Sequence, residues 1–291
     1  MKTNNAMQEK KLVFILKGIA LTILMAIPFF ASAQATANKD ALLVQADTLI
    51  AHADYNGALE MLNKIIGQSK PSSDADYQAL YKRAFAYYGL GKFEDALTDV
   101  NQYIAKMPDE QAKLLRAYIN QELEHYDDQL KDLNEFISAN PANPDLIRWR
   151  ASVYMQAERY QEAKRDIQQL LTYGANPELK AFLGLTYYYL DNPDSALTLF
   201  NEVITTTPEY PQTYLYATSL ALEQSAYDLA LRYADSGLKV TANDPTLLFY
   251  KGIALVEKDD LDHGCKILSK AFQAGVDDAG DYLKSSCYGV H

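Results

Sequence analysis

The sequence predicts an all-α fold, a solenoid of stacked helical repeats. A six-residue pattern returns about every 34 residues along most of the chain, and periods between roughly 20 and 50 residues are typical of repeat solenoids. The composition agrees, because 48% of the 291 residues are hydrophobic and only 10 are Pro and 13 are Gly. Such a chain can bury a continuous core and differs from a disordered or linker-rich sequence.

The six-residue pattern has a polar or small start, usually an aromatic third residue and usually a small last residue. Its last residues are separated by 38, 33, 34, 33, 34 and 34 residues. We define seven copies that begin near residues 39, 77, 110, 144, 177, 211 and 245, and we count positions from each start. The pattern occurs at Ala53–Ala58, Gly91–Ala96, Glu124–Gln129, Glu158–Ala163, Asp191–Ala196, Ser225–Ala230 and Asp259–Gly264. The extra residues between copies one and two fall in Gly67–Asp76, which predicts a longer loop there.

Outside this pattern, further residue types recur at fixed positions. Copy two has Ala84 at position 8, Tyr87 at 11, Ala96 at 20, Val100 at 24 and Pro108 at 32. This set resembles the tetratricopeptide repeat, whose period is about 34 residues. Copies four and five match it as well, with Ala151, Tyr154, Ala163 and Ile167 in the former and Gly184, Tyr187, Ala196, Phe200 and Pro208 in the latter.

Copies three and six depart from the pattern at single positions. Copy three has Asn120 at position 11 and Gln129 at position 20, and copy six has Thr218 and Ala221 at positions 8 and 11. The resemblance implies a superhelical solenoid of about seven antiparallel helix pairs with a C-terminal capping helix at about 277–288. Small residues at positions 8 and 20 let the helices approach closely, and stacking of neighbouring copies buries the core. Residues 34–291 are expected to form one domain.

The N-terminus has the organisation of a signal peptide. A leader with four Lys precedes the uncharged apolar run Gly18–Phe30, which has the length of a signal-peptide core and is short for a membrane span. Ala31–Ala33 then forms an A-x-A cleavage motif, so cleavage is predicted after Ala33, with Gln34 as the first mature residue. The alternative, an uncleaved anchor that also includes residues 12–16, is interrupted by Lys17. No Cys lies near the site, which argues against a lipid anchor.

The predicted location is therefore the periplasm or the exterior of a Gram-negative type of cell. The net charge of the whole chain is −11, and it becomes −14 without residues 1–33, which carry four Lys and one Glu. An acidic surface opposes binding to nucleic acids and to anionic membranes. No membrane insertion is expected after cleavage of the signal peptide.

Cys265 and Cys287 are the only cysteines, and both lie near the C-terminus. They are equally distant from a predicted turn at Val276, so an antiparallel helix hairpin would bring the two thiols together. An exported chain would then form a disulfide. Two free buried thiols remain an alternative, as does a metal site that includes His263, although the spacing lacks the close C-x-x-C pair of most such sites.

Catalytic motifs are not found: the sequence has no P-loop, no G-x-S-x-G and no H-E-x-x-H. His52, His125 and His263 are placed at the polar turns within their copies, which indicates solvated side chains. We therefore expect a protein without enzymatic activity, metal or cofactor. An enzyme with an unrecognised site is the remaining alternative.

In the tetratricopeptide-repeat family the ligand groove is lined by the first helix of each copy, at positions 2, 5, 9 and 12. The resemblance implies that this face of the chain binds a protein or a peptide, in an envelope assembly or a secretion complex for example. A glycan or small-ligand binder of the cell envelope is the alternative, and the oligomeric state is open. The predicted groove residues are Tyr81, Phe85, Tyr88, Leu114, Tyr118, Arg148, Met155, Leu185, Tyr188 and Leu215.

Overall fold

The computed structural model describes residues 38–67, 70–174 and 176–287, which contain fifteen α-helices and no strand. The fifteen helices form seven consecutive pairs followed by one further helix, so the predicted fold class is confirmed. They are α1 (38–51), α2 (Tyr55–Ile66), α3 (Asp74–Gly89), α4 (Phe93–Lys106), α5 (Glu110–Glu122), α6 (Tyr126–Ala139), α7 (Pro144–Gln156), α8 (Tyr160–Tyr173), α9 (Pro177–Tyr189), α10 (Pro193–Thr206), α11 (Pro211–Glu223), α12 (Tyr227–Val240), α13 (Pro245–Val256), α14 (Leu261–Gln273) and α15 (Asp277–Ser286).

Contacts divide the chain into two compact units, one ending at Asn134 and the other beginning at Glu135. The prediction that residues 34–291 form one domain stays a prediction. The predicted capping helix is α15, which ends at Ser286. The predicted signal peptide and its cleavage site at Ala33 and Gln34 lie outside the described residues.

The turn inside each helix pair begins with a residue in the left-handed conformation. This residue is position 15, the first residue of the six-residue pattern, and in copy two it is Gly91 with φ of 71°. The other six copies have residues with side chains there, with φ between 55° and 62°: Ala53, Glu124, Glu158, Asp191, Ser225 and Asp259. Because this conformation costs a non-glycine residue roughly 1 kcal/mol, the turn is imposed by packing of the two helices.

Several first helices begin at Asn-Pro or Asp-Pro. In α7 the Asn143 Oδ1 atom accepts a hydrogen bond from the Leu146 N–H at 3.3 Å, and Pro144 occupies the first turn. In α13 the Asp244 carboxylate accepts from the Leu247 N–H at 2.9 Å. Proline suits this position because the first N–H groups of a helix have no intrahelical acceptor. These dipeptides therefore fix where those copies start.

The close approach of paired helices depends on the small residues at positions 8 and 20. All seven residues at position 20, from Ala58 to Gly264, are buried. In copy five a Cβ atom on Gly184 would lie 2.6 Å from the Phe200 ring, and in copy seven one on Gly252 would lie 2.7 Å from Leu268. A small residue at position 8 therefore makes room for the large one at position 24.

A second set of contacts within the helix pairs is ionic. In copies two, three and four, an Arg at position 7 donates two hydrogen bonds to an Asp at position 23 of the same copy, at 2.6 to 2.9 Å. The three Asp side chains are at most 6% exposed. The pairs are Arg83–Asp99, Arg116–Asp132 and Arg150–Asp166.

Two of these arginines also reach the preceding copy. Arg83 donates to Asn63 Oδ1 at 2.7 Å, and Arg116 donates to Asn101 Oδ1 at 3.0 Å. Each guanidinium thus joins the two helices of its own copy to the second helix of the copy before it. A bidentate pair with an additional acceptor offsets much of the cost of burying the two charges.

Candidate partner-binding groove

The ten predicted groove residues all lie on first helices, from α3 to α11. None of the ten is fully buried in the structure. Phe85 and Tyr118 are exposed, by 40% and 43%, and the other eight are half-buried. Large side chains that remain accessible on successive helices are a common feature of interaction surfaces.

Three of the predicted residues come together in the C-terminal unit. Leu185 and Tyr188 of α9 and Leu215 of α11 line a cleft of about 670 Å³. Gln212 and Ser219, at positions 2 and 9 of copy six, lie in the same cleft. We call it the tyrosine cleft, because its lining also includes Tyr189, Tyr216 and Tyr250, together with Glu223.

Tyr188 and Glu223 form the most polar contact of the tyrosine cleft. The Tyr188 hydroxyl donates to the Glu223 carboxylate, with distances of 2.6 and 2.5 Å to its two oxygens. Burial and this hydrogen bond raise the pKa of Tyr188 above its usual value, because both disfavour a second negative charge. Tyr188 therefore remains a neutral donor, and Glu223 retains acceptor capacity on both oxygens.

A smaller cleft of about 210 Å³ shares Tyr216 with the tyrosine cleft. It contains the predicted residue Arg148, whose Nη1 atom lies 3.7 Å from the Glu178 carboxylate. The only Arg among the predicted groove residues thus has an acidic neighbour on the next copy. Met155 lies nearby along α7 and accepts a 3.3 Å contact from the Thr186 hydroxyl.

In the N-terminal unit the predicted residues Tyr81 and Tyr88 pack against α4. The ring of Tyr81 lies 5.1 Å from that of Tyr103, and the ring of Tyr88 lies 5.7 Å from that of Phe93. Burial raises the pKa of Tyr88, and the nearby Glu122 carboxylate and Tyr118 contribute further. Tyr88 and Glu122 occupy positions 12 and 13 of successive copies, as Tyr188 and Glu223 do. Leu114 is half-buried on α5.

Position 6 was missing from the predicted groove. Tyr216 and Tyr250 of the tyrosine cleft and Phe182 of the smaller cleft all occupy it, at intervals of 34 residues. An aromatic residue at the same position of three successive copies is a signal that the sequence contained. Glu223, at position 13, was also missed, because no family position pointed to it.

The two cysteines are joined by a disulfide. The Cα atoms of Cys265 and Cys287 are 5.8 Å apart, and the bridge connects α14 to the end of α15. Both residues pack against the cluster that contains Leu268 and Leu283. The predicted pairing is thus present in the structure, and it holds the last helix against copy seven.

The side chains of two histidines of the repeats, His52 and His263, have partners close in sequence. His52 Nδ1 lies 2.7 Å from the Thr48 carbonyl oxygen, and His263 Nδ1 lies 2.9 Å from the Asp260 carboxylate. His263 is in the first turn of α14, not in the loop before it. Among the residues that the structure describes, no group of three or more His, Cys, Asp or Glu side chains is arranged to hold a metal ion.

Comparison with known protein families identifies the repeat. A tetratricopeptide-repeat profile matches residues 43–110 and 150–212, which cover copies one and two and copies four and five. Both matched segments belong to the tetratricopeptide-repeat family. Proteins of this family are generally scaffolds for protein–protein interaction. No curated protein matches the sequence.

Solved structures of two other tetratricopeptide-repeat proteins are similar to this chain. The C-terminal part of one from Cytophaga hutchinsonii is 18% identical, with a TM-score of 0.60, and the match covers 83% of this chain and 99% of the other. One from Parabacteroides merdae is 17% identical, with the same TM-score and coverage of 85% and 98%. At these identities the similarity supports the fold alone.

No helix in the described part of this chain is both long and apolar enough to cross a membrane.

Proposed function

We propose that this chain is an exported, non-catalytic scaffold that binds a peptide segment of a partner protein along its first helices. The tyrosine cleft is the observation that carries the proposal. It is lined by residues of α9, α11 and α13 and by Phe200 of α10, it has the volume of a typical ligand site, and it combines aliphatic and aromatic side chains with a few polar groups. Tyrosine suits such a surface because it supplies a large rigid contact area and a hydrogen-bonding hydroxyl.

Site-specific photocrosslinking tests this proposal. A benzophenone amino acid replaces Leu215 in the cleft or, as a control, Thr205, an exposed residue of α10. We expect Leu215 to crosslink to one peptide segment of a partner in periplasmic extract and Thr205 to do so far less. A synthetic copy of that segment should then bind the wild-type chain, and Leu215→Ser should weaken binding by about tenfold. Equal crosslinking from both positions, no binding of the synthetic peptide, or retention of a glycan alone would contradict the proposal.

Export is the second part of the proposal. The signal-peptide pattern of residues 1–33 supports it, and so does the disulfide, because such bonds persist mainly in oxidising compartments. Mass spectrometry of the chain expressed from residue 1 in a Gram-negative cell and purified from the whole cell should show Gln34 as the first residue and Cys265 bonded to Cys287. A chain that begins at Met1, or one with two free thiols, would argue against export.

A further inference from the structure

The lining of the tyrosine cleft has an uneven charge distribution. Glu223 is its one charged side chain, and no Lys, Arg or His lines it. Among the described residues Glu223 takes part in no ion pair, and its hydrogen-bond donor is the uncharged Tyr188 hydroxyl. This carboxylate therefore faces the cleft without a cation of the protein's own.

The tyrosines of the cleft make none of the cation–π contacts in the described part of the chain. The described cation–π contacts are made by Tyr87, Tyr154 and Tyr187, all at position 11. Tyr188 and Tyr189 have their ring centroids 5.0 Å apart with their planes inclined at 58°. Tyr160 stacks on Tyr189 and covers one face of that ring. Tilted rings beside a carboxylate form a concave site whose surface potential is negative.

We propose that the tyrosine cleft binds the side chain of a Lys or Arg residue within the partner peptide. The cationic head would contact Glu223, and its methylene stem would pack on the rings of Tyr216 and Tyr250. This inference rests on the proposed function, and it specifies the chemistry of the segment that is bound. The net charge of −14 that remains without residues 1–33 would also attract a basic segment.

The lining of the tyrosine cleft favours a cationic side chain over an acidic or a purely apolar one. An exposed carboxylate alone binds a cation weakly, because water and salt screen the pair. Here aromatic faces add to the same site, and a guanidinium or an ammonium on an aliphatic stem satisfies both components. An acidic side chain would be repelled by Glu223, and a purely apolar one would leave the carboxylate covered without a partner.

Glu257 offers a matched control for Glu223. It occupies the same position, 13, in copy seven, and it too accepts hydrogen bonds from tyrosine hydroxyls, those of Tyr227 and Tyr282. It is not part of the tyrosine cleft. Glu223→Gln and Glu257→Gln thus make the same chemical change at equivalent positions, but only Glu223 lines the tyrosine cleft.

The test measures binding of labelled peptide pools to residues 34–291, by fluorescence anisotropy. The pools are capped nonapeptides with Ala, Leu, Ser and Gln mixed at all positions except the fifth, which is Arg, Lys, citrulline, norleucine or Glu. We expect the Arg and Lys pools to bind about tenfold more tightly than the neutral pools, and Glu223→Gln to remove that preference. Glu257→Gln should leave it unchanged, and 0.5 M salt should reduce it.

Three outcomes would overturn the inference, and they can be told apart. Binding of all pools with no preference for Arg or Lys would show a peptide site without a cation subsite. A preference that survives Glu223→Gln would show that Glu223 does not bind the cation. The proposed function would then stand without this inference. No binding of any pool by a chain that keeps its helical circular dichroism would count against the peptide-binding function itself, and the inference would fail with it.

Discussion

Copies three and five form helix pairs of the same lengths, but they differ in the side chains at two positions of the helix interface. Both have a first helix of 13 residues and a second of 14. At positions 7 and 23, copy three has the buried pair Arg116–Asp132, and copy five has Leu183 and Leu199. Positions 7 and 23 of the repeat therefore tolerate either an ion pair or two apolar side chains.

Copy six shows a third solution at the same positions. It has Ala217 at position 7 and Tyr233 at position 23, and the Tyr233 hydroxyl donates to Asn201 Oδ1 at 2.8 Å. Asn201 occupies position 25 of the preceding copy, as do the asparagines that accept from Arg83 and Arg116. In copy six the hydrogen bond to the preceding copy is thus retained although the Arg is lost.

The largest expected effect comes from breaking an ion pair of copy three. Asp132→Ala leaves the Arg116 guanidinium without its carboxylate, and it should lower the free energy of unfolding by about 3 kcal/mol. The double variant Arg116→Leu with Asp132→Leu, which copies the chemistry of copy five, should lose about 1 kcal/mol. Urea denaturation followed by circular dichroism measures both.

Lys131→Ala, at an exposed position of the same helix, is the control and should stay within about 0.5 kcal/mol of wild type. A double variant as unstable as Asp132→Ala would show that copies three and five are not interchangeable solutions.

A second comparison concerns positions 8 and 24, where copy five has Gly184 and Phe200 and copy two has Ala84 and Val100. Gly184→Ala gains roughly 1 kcal/mol of helix propensity but places a methyl group against the Phe200 ring, so we expect a net loss of about 1 kcal/mol. Phe200→Val alone should lose about 2 kcal/mol by forming a cavity. The double variant should lose less than the sum of the two by about 1 kcal/mol. Strict additivity in thermal denaturation would mean that the two positions are not coupled.

The start of α3 differs from the Asn-Pro starts of later copies and should make stability depend on pH. Asp76 is buried, which by itself raises its pKa, but hydrogen bonds from Lys39, Ser72 and Ser73 outweigh burial and hold that pKa well below its ordinary value. A carboxyl group with a lowered pKa stabilises the fold above roughly pH 4, and this contribution is lost as the pH falls. Asp76→Asn should therefore cost about 1 to 2 kcal/mol at pH 7 and much less near pH 2. A cost that is the same at both values would contradict this assignment.

The smallest expected effect is a gain in stability in copy three. Asn120 is 1% exposed, and neither its amide nitrogen nor its oxygen has a hydrogen-bond partner within the described part of the chain. Asn120→Leu, which keeps the branching at Cγ, should raise the free energy of unfolding by about 1 kcal/mol because it removes two buried polar atoms. Asn140→Leu, at an exposed position after α6, is the control and should have little effect. A destabilised Asn120→Leu variant would indicate a role for this amide.

The repeat period predicted most of the fold, because small residues recur at positions 8 and 20 and large apolar ones at position 24 in most copies. The disulfide followed from the equal spacing of Cys265 and Cys287 about a turn. The ion pairs were missed, although Arg83, Arg116 and Arg150 recur with the repeat and each has an Asp 16 residues later. Such a spacing looks like ordinary surface charge until both side chains are known to face the same helix interface.

The groove was predicted only in part, for a related reason. Leu185, Tyr188 and Leu215 occupy positions at which the family resemblance places ligand contacts, and the structure brings them into one cleft. Tyr216 and Tyr250 occupy position 6, which one copy considered alone would assign to the contact between neighbouring helices. Whether such a ring lines a cleft depends on the side chains of the next copy, and a single repeat does not contain that information.

Amide hydrogen exchange on residues 34–291, with and without the peptide identified by photocrosslinking, tests the central claim most directly. The account predicts slower exchange on binding in α9, α11 and α13, the first helices that line the tyrosine cleft, with little change in α12, whose residues do not line it. The Leu215→Ser variant should lose that protection at the same peptide concentration. Protection confined to α10 and α12, or unchanged exchange in α9 and α11 at saturating peptide, would contradict the claim that this face of the repeats holds the partner.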